Sequence, residues 1–277
     1  MINIDLHSHS SQSDGLLPPA EVAARAHANG VDMWALSDHD ELSGLAQAAE
    51  AAARLGLRFV PGVEISVTFC ASTIHILGLN IDASHPELVQ GLAAVRRSRF
   101  VRAREIADRL LACGLGECYE GALALADNPD LISRVHFARY LHEQGRVRNI
   151  QHAFDRYLGE GKPAYAPTQW ASMAQAVGWI LAAGGKAVIA HPGRYRYTPL
   201  QFDALYEQFK DLGGCGIEVV SGAHTTRQYE EYAQVALRYG FEGSRGSDFH
   251  GPARGRADLG ILPDLPDQLT PVWRDWI

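Results

Sequence analysis

The chain has 277 residues, of which 47% are hydrophobic and 21% charged. This composition is typical of a folded globular protein and excludes a disordered or fibrous one. The formal net charge is −7 with neutral histidines, so the average field of the molecule does not attract polyanions. An anionic substrate therefore requires a local positive patch or bound cations. The 12 histidines are a high number for this length and direct attention to metal ligands.

The cysteines and the apolar segments indicate the compartment. Cys70, Cys113, Cys118 and Cys215 form no CxxC pair, so we expect buried free thiols rather than a zinc cage. No basic segment followed by an apolar one opens the chain, and the apolar run 176–185 is shorter than the roughly 20 residues of a membrane span. We expect a cytoplasmic protein with no membrane contact and no obligatory protein partner.

Seven β-rich runs alternate with alanine-rich helical stretches, which predicts βα units around a parallel sheet or barrel. The predicted helix between the first two strands begins at Pro18 and Pro19 and ends at Gly30, the residues favoured at a helix start and stop. The predicted strands, in chain order, are INIDLH (2–7), DMWALS (32–37), RFVPGVEIS (58–66), TIHILGL (73–79), KAVIAH (186–191), GIEVVS (216–221) and FEGSRGSD (241–248).

The segment 97–165 interrupts this alternation, because helical patterns follow one another there without a strand between them. SRFVRAREIADRLLACG and LISRVHFARYLHEQG both carry apolar residues at helical spacing. We interpret 97–165 as a helical insertion that forms a lid, and 1–96 with 166–277 as one barrel domain.

Metal-ligand side chains accumulate where the predicted strands end. The carboxyl ends of the strands form the functional face of barrels and doubly wound sheets, so these side chains can converge in space. His7 and His9 are two residues apart on an extended segment, which lets both imidazoles reach one cation. Together with SDHD, GVE, AHP and SDFH, this pattern predicts a metal centre. The residues concerned are His7, His9, Asp38, His39, Asp40, Glu64, His191, Asp248 and His250, with His75 inside the fourth strand.

Each of these residues also has a purely structural interpretation. His75 could be a core histidine bonded to a backbone carbonyl, and Asp14 a turn former before Gly15. Asp38 or Asp40 could cap the next helix, and Glu64 could be an exposed charge. All of these interpretations would have to hold at one rim, where crowded carboxylates and imidazoles destabilise one another without cations.

The motifs DLHSHSSQSDG, ALSDHD, PGVEIS, IHILGL, AHP and GSDFHG, in this order, resemble those of the PHP (polymerase and histidinol phosphatase) family, and GLLPPAEVAARAHANGVDMWALSDHDELSG resembles its TrpH-like subgroup. The resemblance implies a distorted (β/α)₇ TIM-like barrel with three divalent metal ions. It also implies a partition of their ligands. The first ion takes His7, His9, Glu64 and Asp248, the second takes Glu64, His75 and His191, and the third takes Asp14, His39 and His250.

The ligand chemistry agrees with this implication. Mixed imidazole and carboxylate ligands suit Mn²⁺, Fe²⁺ or Zn²⁺ better than Ca²⁺. We expect Mn²⁺, with Fe²⁺, Zn²⁺ or Mg²⁺ as alternatives. In a phosphoesterase, a hydroxide between two ions would attack the phosphorus of the substrate. The expected catalytic residues therefore act through the metals, and they are His7, His9, Glu64, His191 and Asp248.

Substrate phosphate also needs directional donors, and we expect Arg134, Lys162 and Arg194 to supply them. The segment GEGKP around Lys162 lacks the GxxxxGK[ST] pattern of a phosphate-binding P-loop. The run RRSRFVRAR (96–104) is either a nucleic-acid-contacting helix or a solvated helix face. The sequence does not identify the acid that protonates the leaving group, although Asp40 and His224 can be considered.

The resemblance to the TrpH-like subgroup implies hydrolysis of a phosphate monoester of a small nucleotide, which we expect to be the 3′-phosphate of a nucleoside 3′,5′-bisphosphate. Alternatives are a 5′-to-3′ exoribonuclease on short RNA and an enzyme similar to histidinol phosphatase. An amidohydrolase is disfavoured, because none of Lys162, Lys186 and Lys210 ends a predicted strand. A nucleic-acid-binding module with structural metals is the non-enzyme alternative, but structural sites are usually closed.

Overall fold

The computed structural model describes residues 2–126, 128–167, 170–252 and 257–276. The chain divides into two compact units, one formed by Met1–Leu92 and Ala171–Ile277 and the other by Ala93–Trp170. The first, the barrel unit, contains all the strands of the described part of the chain. The second, the helical unit, contains helices and turns.

All seven predicted strands are confirmed, with ends that differ by a few residues. The fold class is also confirmed, because the seven strands form one nearly closed sheet surrounded by helices. The strands are β1 (Ile4–Asp5), β2 (Met33–Leu36), β3 (Arg58–Phe69), β4 (Ser72–Leu79), β5 (Lys186–Ile189), β6 (Gly216–Ser221) and β7 (Glu242–Gly246).

The order of the strands in the sheet is the order of the chain. The first and last strands approach each other, and the Leu6 amide donates to the Arg245 carbonyl at 3.0 Å. One strand departs from the predicted parallel arrangement, because β4 is antiparallel to both β3 and β5. A two-residue turn, Cys70 and Ala71, reverses the chain there with φ of 45° and 61°, as two-residue hairpin loops of this type require.

Alternation along the strands separates an inner from an outer face. On β3, Val63, Ile65 and Val67 pack with the residues of the surrounding helices. Glu64 pairs with Leu77, and Leu77 pairs with Val188; paired residues share a face of the sheet. The inner face is therefore apolar at one end, where Leu77 and Val188 pack with Trp273, and polar at the end where Glu64 lies.

The helices of the barrel unit connect the strands, and the helix predicted after β1 is confirmed. It begins at Pro19 and ends at Ala28, and Gly30 follows with φ 74°. The helices of this unit are α1 (Pro19–Ala28), α2 (Leu45–Leu55), α7 (Met173–Ala182), α8 (Pro199–Asp211) and α9 (Thr226–Tyr239), together with the first part of α3 (Pro86–Ala112).

The helical unit has a hydrophobic core of its own. Leu110, Phe137, Leu141 and Leu158 are fully buried within it. Besides the rest of α3, its helices are α4 (Tyr119–Leu123), α5 (Arg134–Glu143) and α6 (Ile150–Ala153).

The four cysteines differ in their exposure. All four cysteines are free, but the expected burial is wrong for Cys70, which is exposed at the β3–β4 turn, and Cys113 and Cys215 are only partly buried. Within the described ranges, no helix combines the length and apolar character that a membrane crossing needs.

Candidate metal centre

The polar end of the barrel interior brings six imidazoles and three carboxylates together. Glu64 lies at the centre of this group and is completely buried. Its Oε2 is 3.3 Å from Nε2 of both His7 and His9 and 3.0 Å from Nδ1 of His39. Its Oε1 is 3.0 Å from His75 Nδ1 and 2.8 Å from His191 Nε2. One carboxylate thus reaches ligand atoms of five histidines from four different motifs.

Asp248 and Asp14 extend the cluster on one side. Asp248 Oδ1 lies 3.5 Å from His7 Nε2 and 3.3 Å from His9 Nε2. Asp14 Oδ1 lies 3.3 Å from His250 Nε2, and Asp14 Oδ2 lies 3.9 Å from His39 Nε2. The structure therefore brings all nine predicted ligands into one continuous group.

Within the described residues, four sets of side chains place potential ligand atoms within 4.8 Å of one another. The sets are His9, Asp14, His39 and His250; His7, His191 and Asp248; His7, His9 and Glu64; and His39, Glu64 and His75. The expected third-metal set lies inside the first of these, joined by His9. His39 also reaches Glu64, so the partition among ions stays a prediction.

Two of the nine residues have a backbone conformation that side chains rarely adopt. His191 follows β5 with φ 26°, and Asp248 follows β7 with φ 54°. A left-handed conformation costs on the order of 1–3 kcal/mol outside glycine and occurs preferentially at functional sites. At both strand ends the chain turns sharply, which directs the side chain into the cluster.

Sequence reasoning missed Glu218, a buried carboxylate in the middle of β6. Its Oε1 is 2.9 Å from His7 Nδ1, and its Oε2 accepts from the His191 amide. A carboxylate that accepts from one imidazole nitrogen orients the other toward a metal. The available signal was a charged residue inside the apolar run GIEVVS.

A close approach of the backbone makes room for this contact. A Cβ atom on Gly246 of β7 would lie 2.3 Å from His7 Cβ and 3.0 Å from Glu218 Oε1. Only glycine leaves the space that His7 needs beside the last strand.

Asp38 and Asp40 hold loops and do not cap the next helix, whose N-cap is Gly44. Asp38 accepts from the Ser10 amide at 2.7 Å. Asp40 accepts from the Ser66 amide at 2.7 Å and from its hydroxyl at 2.8 Å. Both oxygens of Asp40 are therefore occupied, which leaves it poorly placed to protonate a leaving group.

His224 is also held by structural contacts. Its Nδ1 lies 3.1 Å from the Val219 carbonyl, and its Nε2 accepts from the Gly193 amide at 3.0 Å. Burial lowers the pKa of His224. Both of its ring nitrogens are used, so this histidine is not available as a proton donor.

The donor set of the cluster fits divalent cations. His7 donates through Nδ1 to Glu218, so the lone pair on its Nε2 faces Glu64 Oε2 and His9 Nε2, the latter at 3.1 Å. Acceptors facing acceptors require a cation between them. Six buried atoms of the cluster make no hydrogen bond: His9 Nδ1, Asp14 Oδ1, His39 Nδ1, Glu64 Oε2, His191 Nδ1 and Asp248 Oδ1.

The pKa values reflect the same crowding. Burial opposes the ionisation of Glu64, but the imidazoles of His39, His75 and His7 outweigh it and hold the pKa of this carboxyl well below its usual range. Burial lowers the pKa of His39 to about 3. Burial also opposes protonation of His7 and His9, but nearby carboxylates outweigh it and raise the pKa of both imidazoles, those of Glu218, Glu64 and Asp248 at His7 and those of Asp248 and Glu64 at His9.

Of the three predicted phosphate-binding residues, Arg194 lies at this cluster. Its Nη1 donates to Asp248 Oδ2 at 2.8 Å, and its side chain is 51% exposed. Burial alone would lower the pKa of Arg194, but the carboxylates of Asp248 and Glu64 raise it. The guanidinium is therefore fixed in its charged form and remains accessible from solvent.

Arg134 and Lys162 belong to the helical unit. Arg134 donates from Nη1 to the Leu158 carbonyl at 3.3 Å, and its guanidinium lies 5.8 Å and 5.5 Å from the ring centres of Phe154 and Tyr165. Lys162 is exposed in a turn. Phosphate binding by these two residues stays a prediction.

A barrel with clustered imidazoles and carboxylates at one end is the architecture of a metal-dependent hydrolase. A family model described as the PHP domain matches residues 5–164. The chain therefore belongs to the PHP domain family, and the resemblance seen in the sequence is confirmed.

The chain is also similar to characterised enzymes. It is 48% identical to a 3′,5′-nucleoside bisphosphate phosphatase from Chromobacterium violaceum over 99% of this chain and 96% of that protein. It is 44% identical to a 5′-3′ exoribonuclease from Haemophilus influenzae, covering 97% of each. The chain is thus an enzyme that hydrolyses phosphoric esters, as the sequence predicted.

Solved structures are similar throughout their length. One from Chromobacterium violaceum, described as an amidohydrolase with bound sulfate and no metal, has a TM-score of 0.92 at 48% identity and covers 99% of this chain and 95% of that one. A putative metal-dependent phosphoesterase from Bifidobacterium adolescentis has a TM-score of 0.83 at 26% identity, again covering 99% and 95%.

Proposed function

We propose that this enzyme removes the 3′-phosphate of a nucleoside 3′,5′-bisphosphate, using divalent metal ions held by the clustered side chains. The observation that carries the proposal is the set of nine ligand-type residues around Glu64, with six buried atoms that make no hydrogen bond. The nucleoside bisphosphate phosphatase that is 48% identical over nearly the whole chain supports the substrate.

Three ions, with Mn²⁺ preferred, would be held by His7, His9, Glu64 and Asp248, by Glu64, His75 and His191, and by Asp14, His39 and His250. When bound, such ions lower the pKa of a water and neutralise phosphoryl oxygens. The grouping of Asp14, His39 and His250 around shared space supports the last of these sets.

The chain's own residues supply orientation and charge. Arg194 donates to Asp248 through Nη1 and its side chain is about half exposed, so its remaining donors can bind the phosphate that reaches the cluster. Glu218 holds His7 in the tautomer whose Nε2 faces the cluster. The hydrolysis consumes one water, breaks the bond between phosphorus and the ribose oxygen, and releases inorganic phosphate and a nucleoside 5′-phosphate.

The position of Lys186 argues against the amidohydrolase alternative. Such enzymes commonly place a carboxylated lysine between their metals, but Lys186 stands at the start of β5. Its Nζ bonds Glu242 at 2.7 Å and the Val272 carbonyl at 2.9 Å. Glu64 occupies the central position instead.

A second activity has specific support. A relative named as a 5′-3′ exoribonuclease is 44% identical over 97% of the chain, and both reactions cleave a bond from phosphorus to a ribose oxygen. We therefore include short RNA among the substrates. The proposal has two further parts. The free cysteines support a cytoplasmic location. The helical unit is proposed to act as a lid.

The test measures release of inorganic phosphate from a nucleoside 3′,5′-bisphosphate and from histidinol phosphate, and release of nucleoside 5′-monophosphates from a 5′-phosphorylated short RNA. Chelation with EDTA should abolish release, and Mn²⁺ should restore it, while elemental analysis counts the ions. If neither nucleotide substrate reacts in the Mn²⁺-loaded protein, the proposal is wrong. If histidinol phosphate is preferred, the metal centre stands but the substrate is reassigned.

A further inference from the structure

The arginine-rich part of α3, residues 96–104, plays no part in the function proposed above. Residues at helical spacing share one face of a helix, and on this helix Ala93, Arg96, Arg97, Phe100 and Val101 line a groove of about 460 Å³. Asp130 completes the lining. The groove lies entirely within the helical unit.

Three other arginines of the run are packed against aromatic rings of the same unit. The guanidinium of Arg99 lies 4.7 Å from the ring centre of Trp170, and that of Arg102 lies 5.4 Å from it. Arg102 also donates to the Ala166 carbonyl at 3.0 Å. A fully solvated helix face is therefore the wrong description of this run.

The groove combines an aromatic surface with positive charge. Phe100 is 50% exposed and Val101 is 67% exposed. The ring centres of Phe100 and Tyr119 are 6.2 Å apart in an edge-to-face arrangement. The Arg104 guanidinium lies 5.4 Å from the centre of the Phe100 ring. These contacts hold the ring in place while half of its surface remains accessible.

Arg97 is exposed and lies on the same face of the helix as Phe100, and the Arg104 guanidinium lies 5.4 Å from the centre of the Phe100 ring. An exposed aromatic ring beside guanidinium groups is the arrangement that binds single-stranded nucleic acid, in which bases stack and phosphates pair with arginine. A partner protein with an acidic surface would use the charge but would not require an accessible ring.

We propose that this groove binds a short single-stranded RNA, with a base on Phe100 and a backbone phosphate on Arg97. The inference rests on the proposed phosphoesterase function, which it deepens by assigning an RNA-binding surface within the helical unit. It predicts that affinity rises with oligonucleotide length.

The test measures fluorescence anisotropy of a phosphorothioate-linked octauridylate, labelled at its 3′ end, with the full metal-loaded protein at several salt concentrations. Arg97→Gln should weaken binding about fivefold and reduce the slope of log K against log salt by about 0.7, the value for one single-strand phosphate contact. Phe100→Ala should weaken binding roughly tenfold and leave the slope unchanged.

Arg148→Gln is the matched control, because Arg148 is an exposed arginine elsewhere in the helical unit and the substitution changes the charge equally. It should bind the probe as the unsubstituted protein does. Turnover of a nucleoside 3′,5′-bisphosphate should stay within about twofold in all three variants, since none of the three substituted residues belongs to the metal centre.

Equal affinity and equal salt slope in all variants would overturn the inference. The inference would also be overturned if Phe100→Ala bound the probe normally but had a different sedimentation coefficient from the unsubstituted protein, because the groove would then join two copies of this chain. Failure of the unsubstituted enzyme to release phosphate from the bisphosphate would instead reject the proposed function, and anisotropy would still report on the groove.

Discussion

Replacement of Glu218 by glutamine tests how the barrel prepares its ligands. The carboxylate accepts two hydrogen bonds through two different oxygens, from His7 Nδ1 at 2.9 Å and from the His191 amide. Glutamine has nearly the same shape but one acceptor oxygen, and its amide nitrogen would face a donor. Either the His191 amide loses its acceptor, or His7 moves its proton to Nε2 and can no longer bind a metal through that atom.

The size of the effect follows from these two outcomes. A buried donor without an acceptor costs about 1–3 kcal/mol, and loss of a carboxylate that orients a metal-bound imidazole costs about 10–100-fold in metal affinity or activity. We expect Glu218→Gln to weaken Mn²⁺ binding and to reduce kcat/KM by about 10–100-fold. Glu218→Ala should lose at least as much, because both donors are then unsatisfied.

Metal affinity is measured by equilibrium dialysis with elemental analysis, and folding by far-ultraviolet circular dichroism. Glu242→Gln is the control, because it makes the same chemical change at the start of the neighbouring strand β7, where Glu242 pairs with Lys186 at 2.7 Å. The control should bind Mn²⁺ normally. Native metal content and turnover in folded Glu218→Gln would refute the positioning argument.

Three further predictions concern the same end of the barrel. Glu64→Gln should reduce phosphate release by at least about 1,000-fold, because it removes the negative charge that the surrounding imidazoles contact. Metal content by elemental analysis should fall with it, and full activity would contradict the central role of Glu64. Arg194→Ala should lower kcat/KM about 10–100-fold through loss of a charged contact to phosphate, with partial recovery in Arg194→Lys; unchanged steady-state kinetics would exclude the contact. Gly246→Ala should displace His7, since the new carbon would lie 2.3 Å from His7 Cβ, and calorimetry should show a lower melting temperature in the metal-loaded protein, whereas an unchanged one would mean that His7 adjusts freely.

The strands and the ligand set could be predicted because both leave local signals. Most strands are short apolar runs, although β7 has the sequence EGSRG. The ligand motifs stand at the strand ends or inside them, as His75 does in TIHILGL. The parallel arrangement was wrong for β4, because the reversing turn at Cys70 and Ala71 contains none of the glycine or asparagine that usually marks a two-residue hairpin. The exposure of Cys70 follows from the same turn.

The role of Glu218 could not be assigned from the sequence, because it depends on a contact between residues 211 positions apart. The roles of Asp38 and Asp40 were equally inaccessible, since serines from distant segments, Ser10 and Ser66, occupy their oxygens. Local pattern identifies residues capable of metal chemistry. It does not separate a ligand from the carboxylate behind it.

The seam between β1 and β7 has a consequence for how the protein acquires activity. Asp5 accepts from the Ser247 amide across 242 positions of sequence, so the barrel closes only after nearly the whole polypeptide is available, and closure over such a distance is entropically costly and slow. A nascent chain on the ribosome, or a fragment cut before β7, would lack Asp248 and the wall against which His7 rests. The metal centre is therefore complete only in a chain whose last strand has joined the sheet.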